Sequence, residues 1–330
     1  MNLRSLFLTL ASIANGIVLV ASLVAVSKID PRATMRQLGD LNRMAFVKLT
    51  LLMGLNTFLS AQKWRLVDAA VRRPADAALP RLTSFALTSA GVAIGQVLPT
   101  PVSMVAARTL GTYYLGNALT RGTLATIFDQ GFDFLIACFL IPASGAMRFL
   151  HGGGRMWVAL SAAMSLVALF AVGIAVRLLQ RVTAYFAERK GVRPSGLQRG
   201  FARLQTSGFL NVNLARRLLM LSTLRFAVLV LMAGETTEAL GSNVPLSHLA
   251  AAMPFVVISS ALPVTPGGLG VNELTYAATL SYLGTPLHAA AQWALANRLL
   301  VAAASFAVAV GTAGILFAVR SCKRFGSKVL

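Results

Sequence analysis

The sequence predicts an all-α, polytopic transmembrane helix bundle, and three observations carry that prediction. Residues of the set AVILMFWYC make up 56% of the 330, charged residues only 12%, and the mean hydropathy is +0.72. A soluble domain carries about 25% charged residues, so a globule of this length could not cover its surface with so few. The apolar runs are long and unbroken rather than alternating at period two, which favours helices over a β-barrel in lipid. The net charge of +20 sits mostly between those runs. Basic loops flank spans on the cytoplasmic side and attract anionic membrane lipids. No basic domain with interleaved aromatics accompanies them, so no nucleic-acid partner is expected.

The whole chain, 1–330, reads as a single integral membrane domain. Its first apolar stretch, Ser5 to Ser27, is too long for a signal-peptide core and is taken as the first span, 5–27. A polar connector, 28–44, leads to a second span at 45–61. A basic loop follows at 62–81, with Lys63, Arg65, Arg72, Arg73 and Arg81. A third span, 82–98, ends at Pro99-Thr100-Pro101, and the segment 102–119 then carries Arg108. The run 122–142 carries Asp129 and Asp133, and Gly152-Gly153-Gly154 precedes a span at 156–176. A basic loop, 177–217, is expected in the cytoplasm. The remaining runs are 218–234 with Arg225, 246–262, 271–283 after a Gly-rich break, and 287–319 with Arg298, before a basic tail. This gives about eight spans plus two Pro/Gly-broken short or re-entrant helices, 102–119 and 271–283. If both short helices cross, ten crossings put loop 62–81, loop 177–217 and the tail on one side, with the connector 28–44, also basic, on the other in either count. If both are re-entrant, the count places loop 177–217 on the far side.

The two broken segments suggest an internal two-fold repeat, with halves 1–150 and 151–330. Leu98-Pro99-Thr100-Pro101 is followed by Arg108, seven residues after Pro101. Leu262-Pro263-Val264-Thr265-Pro266 is followed by Glu273, seven residues after Pro266. Downstream the first copy has Asp129 and the second Arg298, so the charges are exchanged between copies. Duplicated, Pro/Gly-interrupted segments in two halves of a membrane protein point to a transport site.

A charge in the bilayer core costs a few kcal/mol or more unless it is paired or wet. Arg108, Asp129, Asp133, Arg225, Glu273 and Arg298 are therefore candidates for a headgroup-binding path, the alternative being ion pairs that fix helix packing. Glu235 and Glu238 fall near a helix end and read as a solvated terminus. Asp129 and Asp133 are four apart and share a helix face, so they need a cation, which Arg108 or Arg298 could supply. Gly267, Gly268 and Gly270 break the helix ahead of Val271, where exposed N–H groups and the positive dipole end could receive a phosphate. Glu273 in the first turn also fits as that dipole's own partner. His151, His248 and His288 lack metal spacing, as do Cys138 and Cys322, which form no disulfide framework. No cofactor or metal is expected.

Pro263 to Glu273 resembles the Pro-x-Thr-Pro-Gly-Gly-Leu-Gly-x-x-Glu signature of the lysylphosphatidylglycerol synthase transmembrane-region, or flippase-like, family. Lys63-Trp64-Arg65, the Pro-then-Arg108 segment, the helix with Asp129 and Asp133, and Arg298 in the last long helix are similar too, over nearly the whole chain. The first copy departs from the family's glycine-containing form, having Pro101-Val102-Ser103-Met104. The resemblance implies a bacterial inner-membrane, multi-pass protein that handles phospholipids or lipid-linked precursors. Two-part members add a soluble aminoacyltransferase domain. Here the tail, 320–330, leaves no room for one, so synthase activity is not expected. Lipid translocation between leaflets is the leading expectation. A membrane-embedded enzyme, or an accessory subunit in lipid, glycolipid or hopanoid biosynthesis, is the alternative. A homo-oligomer or a biosynthetic partner is open in either case.

Overall fold

The computed structural model describes residues 3–72, 76–147, 153–188, 211–261 and 265–326. Arg73, His151, Gly152, the centre of the basic loop 177–217, Leu262-Pro263-Val264 and the last four residues lie outside the described residues. All regular structure among the described residues is helical. In chain order it comprises α1 Leu3–Ser27, α2 Pro31–Gly39, α3 Arg43–Val71, α4 Arg81–Ile94, α5 Thr100–Tyr114, α6 Leu119–Ala146 and α7 Gly153–Glu188. Then come α8 Val212–Ala239, α9 Leu246–Ala261, a 3-10 turn at Pro266–Gly268, α10 Val271–Tyr282 and α11 Leu287–Gly326. The expected helical bundle is present, and five helices (α3, α6, α7, α8 and α11) are long and apolar enough to cross a membrane.

Polar caps mark starts of helices at the bundle's ends. Asp30 accepts from the Arg32 N–H ahead of α2, Asn42 from Met44 ahead of α3, and Asn211 from Asn213 and Leu214 ahead of α8. α5 instead starts inside the bundle with Pro99 before it and Pro101 in its first turn, where a missing N–H is harmless. α3 continues ten residues past the expected end of the second span. Its last turns stay helical because their charges are partnered: Lys63 within the bundle, and Asp68 by Arg121. Lys63 is thus a buried residue of α3 rather than part of a basic loop.

α4 and α5 form an antiparallel hairpin. Facing pairs are Leu87 with Gly111, Thr88 with Arg108, and Gly95 with Ser103, all centred near Pro99. α9 and α10 form a second hairpin, with Ser259 facing Asn272, Met253 facing Tyr276 and His248 facing Thr285. The four limbs have 14, 15, 16 and 12 residues. At 1.5 Å per residue they reach about 18–24 Å, short of a hydrocarbon core of about 30 Å.

The hairpins enter from opposite ends. The end of α3, the start of α4, the end of α5 and the start of α6 meet where Arg121 holds Asp68, Asn117 and the Ala77 carbonyl. The start of α8 packs beside them through Leu214 and Leu218, near Trp64 and Leu79. The end of α8, the start of α9, the end of α10 and the start of α11 gather at the other end, with α2 bonded there by Gln37 to Gln292. α1, α3, α6, α7, α8 and α11 run from end to end, and each hairpin returns to the end it entered. Parity therefore agrees with the ten-crossing count and departs from the re-entrant count, which kept 82–98 as a complete crossing. With α5 returning that limb, only α6 and α7 separate loop 62–81 from loop 177–217. Loop 62–81, the described ends of loop 177–217 and the start of the tail consequently share one end, here called the basic end, as the positive-inside rule expects, while the connector 28–44, with Lys28, Arg32, Arg36 and Arg43, lies at the other.

Candidate functional site

The tips of the two hairpins touch. The Gly267 N–H donates to the Leu98 carbonyl at 2.9 Å, and Arg298 Nη2 donates to the Gln96 carbonyl at 3.0 Å. Gly267 holds φ +59, and an added Cβ there would lie 2.6 Å from the Gln96 oxygen and 2.8 Å from that of Gly95. Only glycine permits both this backbone turn and this closeness.

Two adjoining cavities flank the contact. One, of about 270 Å³, is lined by Asp129, Asp133 and Arg225 with Asn56 and Ser60. The other, of about 200 Å³, is lined by Glu273, Arg298, Asn272, Asn297 and Tyr276. Gln96, Thr100, Leu229, Val257, Ser260 and Val301 line both, so they share a wall. Together they reach the size at which small-molecule sites begin, roughly 300 Å³.

Beside the first cavity five charges interlock. Arg108 Nη1 donates to Asp129 Oδ2 at 2.6 Å, Nη2 to Ser60 Oγ at 2.9 Å, and Nε to Thr88 at 3.3 Å, with the guanidinium 4.9 Å over the Trp64 ring. Lys63 Nζ donates to the Asp129 carbonyl at 3.0 Å and to Asp133 Oδ1 at 2.5 Å, and lies 3.2 Å from Asp129 Oδ1. Arg225 donates to the other oxygen of Asp133 and to Asn56 at 3.1 Å. Three cations therefore face two carboxylates. Asp129 and Asp133 do share a face and do find cations: Arg108 and Lys63 for the first, Lys63 and Arg225 for the second. Arg298 serves Glu273 instead, with Nε 3.6 Å from Oε1.

The exchanged charges of the two copies pair with each other. Arg108 on the return limb α5 meets Asp129 on α6, and Glu273 on the return limb α10 meets Arg298 on α11. The pairs differ in tightness. Arg108 meets Asp129 at 2.6 Å and Arg298 meets Glu273 at 3.6 Å, and each carboxylate lines its cavity and keeps one buried oxygen without a hydrogen-bond partner, Asp129 Oδ1 and Glu273 Oε1.

Not every predicted site residue reaches a cavity. Arg225 and Arg298 line the cavities and keep 16% and 17% of their side chains exposed, while Arg108 is at 0% and lines neither. Gly267 lines the second cavity, but Gly268 lies against Asn272, and Gly270 packs on Leu19 of α1. The anion site expected at the start of α10 is taken by the protein itself: the Gly270 N–H donates to Glu273 Oε2 at 2.7 Å. Glu235, read as solvated, pairs with Lys48. Sequence reasoning missed Lys63, Asn56, Ser60 and Gln96. Asn56, Ser60 and Lys63 stand at i, i+4 and i+7 on α3, a polar stripe that helical periodicity could have shown. Gln96, in a turn, left no such signal. Among the described residues no group of acidic, histidine and cysteine side chains is arranged to hold a metal.

The profile described as lysylphosphatidylglycerol synthase TM region matches residues 10–324. No curated protein matches the chain. With that match spanning nearly all of its length, and with five helices of membrane-crossing length and apolarity, the chain is a multi-pass membrane protein that belongs to the lysylphosphatidylglycerol synthase TM-region family.

Proposed function

We propose that the protein is a flippase-like translocator that carries the polar headgroup of a phospholipid or lipid-linked precursor across the bacterial inner membrane. The observation that carries this reading is the meeting of two opposed hairpin tips between two cavities, each holding an arginine and a carboxylate. Discontinuous helices that meet near mid-membrane, at the junction of inverted halves, are the usual setting of a transporter's binding site. The halves 1–150 and 151–330 are read here as such inverted copies, each with a hairpin and an exchanged ion pair. Arg225 and Arg298 reach the cavities and are the groups placed to meet a lipid phosphate, while Asp133 and Glu273 release or hold them in turn. Arg108 and Lys63, sealed behind the wall, position Asp129 and Asp133. Acyl chains stay outside in lipid while the headgroup passes the tips. The basic end faces the cytoplasm in this reading, where its arginines also attract anionic lipids.

The test is proteoliposomes containing fluorescent phospholipids and a membrane-impermeant quencher. Inner-leaflet label should become quenchable in the presence of the protein. Arg225→Ala and Arg298→Ala should each slow this about tenfold or more, the scale of one lost hydrogen bond to a charged group. Folded protein that moves none of the lipids offered would overturn the reading.

A further inference from the structure

A third cavity, of about 320 Å³, opens at the end opposite the basic one. Gln37, Ser242, Asn243, Thr285, Gln292 and Trp293 are among its lining residues, and none of its lining residues is charged. Three helices place it directly beyond the Glu273 cavity. On α8, Met232 and Ala233 line the Glu273 cavity, and Leu240 and Gly241, just past the helix, line the third. On α11, Ala294 and Asn297 line the former, and Gln292 and Trp293 the latter. On α10, Glu273 and Tyr276 line the former, and the loop after the helix brings Thr285 to the latter.

One side-chain layer separates the two spaces. Trp293 Nε1 donates to Thr237 Oγ1 at 2.9 Å, and its ring stands edge-on to Tyr276 with centroids 5.1 Å apart. Beside it Thr236 donates to Asn297 at 3.1 Å. Trp293 is 1% exposed and is the largest side chain of this layer.

We infer that the third cavity is the outer vestibule of the headgroup path and that Trp293, braced by Tyr276 and Thr237, is its gate. This rests on the translocation reading and adds its exit and its closing residue. The uncharged, amide- and hydroxyl-lined vestibule takes the hydrated, hydroxyl-bearing part of a headgroup after its phosphate has left the arginines.

Cysteine accessibility tests the gate without transport. In a Cys138→Ser/Cys322→Ser background, Asn297→Cys probes the Glu273 cavity and Asn243→Cys the vestibule. A membrane-impermeant thiol reagent is applied from the side opposite the basic end. Asn243→Cys should react in every background. Asn297→Cys should be protected while Trp293 is present and lose that protection with Trp293→Ala. Should Trp293→Ala fail to elute as a single folded species, Tyr276→Ala removes the brace and should give the same loss. Reaction of Asn297→Cys at the same rate with and without Trp293, or continued protection in both opened variants, overturns the gate. The same proteins in the quencher assay separate the two claims. Loss of protection without translocation by the unsubstituted chain leaves the gate standing and removes the flippase. Translocation with unchanged protection does the reverse.

Discussion

Arg108 and Arg225 are both arginines beside aspartates, yet their burial assigns them different work. Arg108 is sealed by Asp129, Ser60, Thr88 and Trp64, and Arg225 reaches a cavity. Removing one member of a buried pair leaves the other charge uncompensated, at about 3–5 kcal/mol. Arg108→Ala should lower stability by that order in thermal unfolding, and Arg108→Ala/Asp129→Ala by less than the sum of the two single changes. Additive losses would mean the pair is not coupled. The sequence showed that Asp129 and Asp133 needed a cation because two carboxylates one turn apart repel in lipid. It did not show that Lys63 was one of the cations. Lys63 sits where an apolar run ends, and only its tertiary partners keep α3 helical past that point.

The hairpins depend on backbone that no other residue type fits. Gly267 and Gly241 hold nearly the same φ, +59 and +58, but an added Cβ at Gly241 meets nothing within 4 Å. Gly241→Ala should therefore carry only the left-handed backbone cost of about 1–2 kcal/mol. Gly267→Ala must in addition push back Gln96 and Arg298, so it should lower the unfolding temperature clearly more than Gly241→Ala. Equal losses would show that the tips are not in firm contact. Pro99, Pro101, Pro266 and the glycines announce both breaks in the sequence. What they do not announce is that the limbs before each break fold back, because periodicity along one helix carries no information about its antiparallel neighbour. That pairing is fixed by small residues, such as Gly91 against Met104 and Gly111 against Leu87.

At the scale of the molecule, composition and the long unbroken apolar runs predict the helical membrane bundle, and the path of the chain needed the structure. Two returning hairpins place loop 62–81 with the described ends of loop 177–217 and of the tail at one end. Single cysteines at Arg81, Tyr114 and Asn243 check this with impermeant labels. The first two sites should label from the basic side and the third from the opposite side. Tyr114→Cys labelling opposite Arg81→Cys would make 81–114 a single net crossing and remove the first hairpin. The cavities were beyond sequence reasoning because their walls come from α3, α6, α8, α9 and α11 together.

α1 has its main contacts with the 3-10 turn, α10 and α11, through Gly16 on Leu269, Leu19 on Gly270, and Leu23 beside Ala277 and Ala291. α1 thus leaves the ribosome well before the helices on which it is seated. At about 5–20 residues per second the wait is roughly ten seconds to a minute. For that time α1 stays in lipid without its seat, and the second hairpin's tip finds its cover already in the membrane.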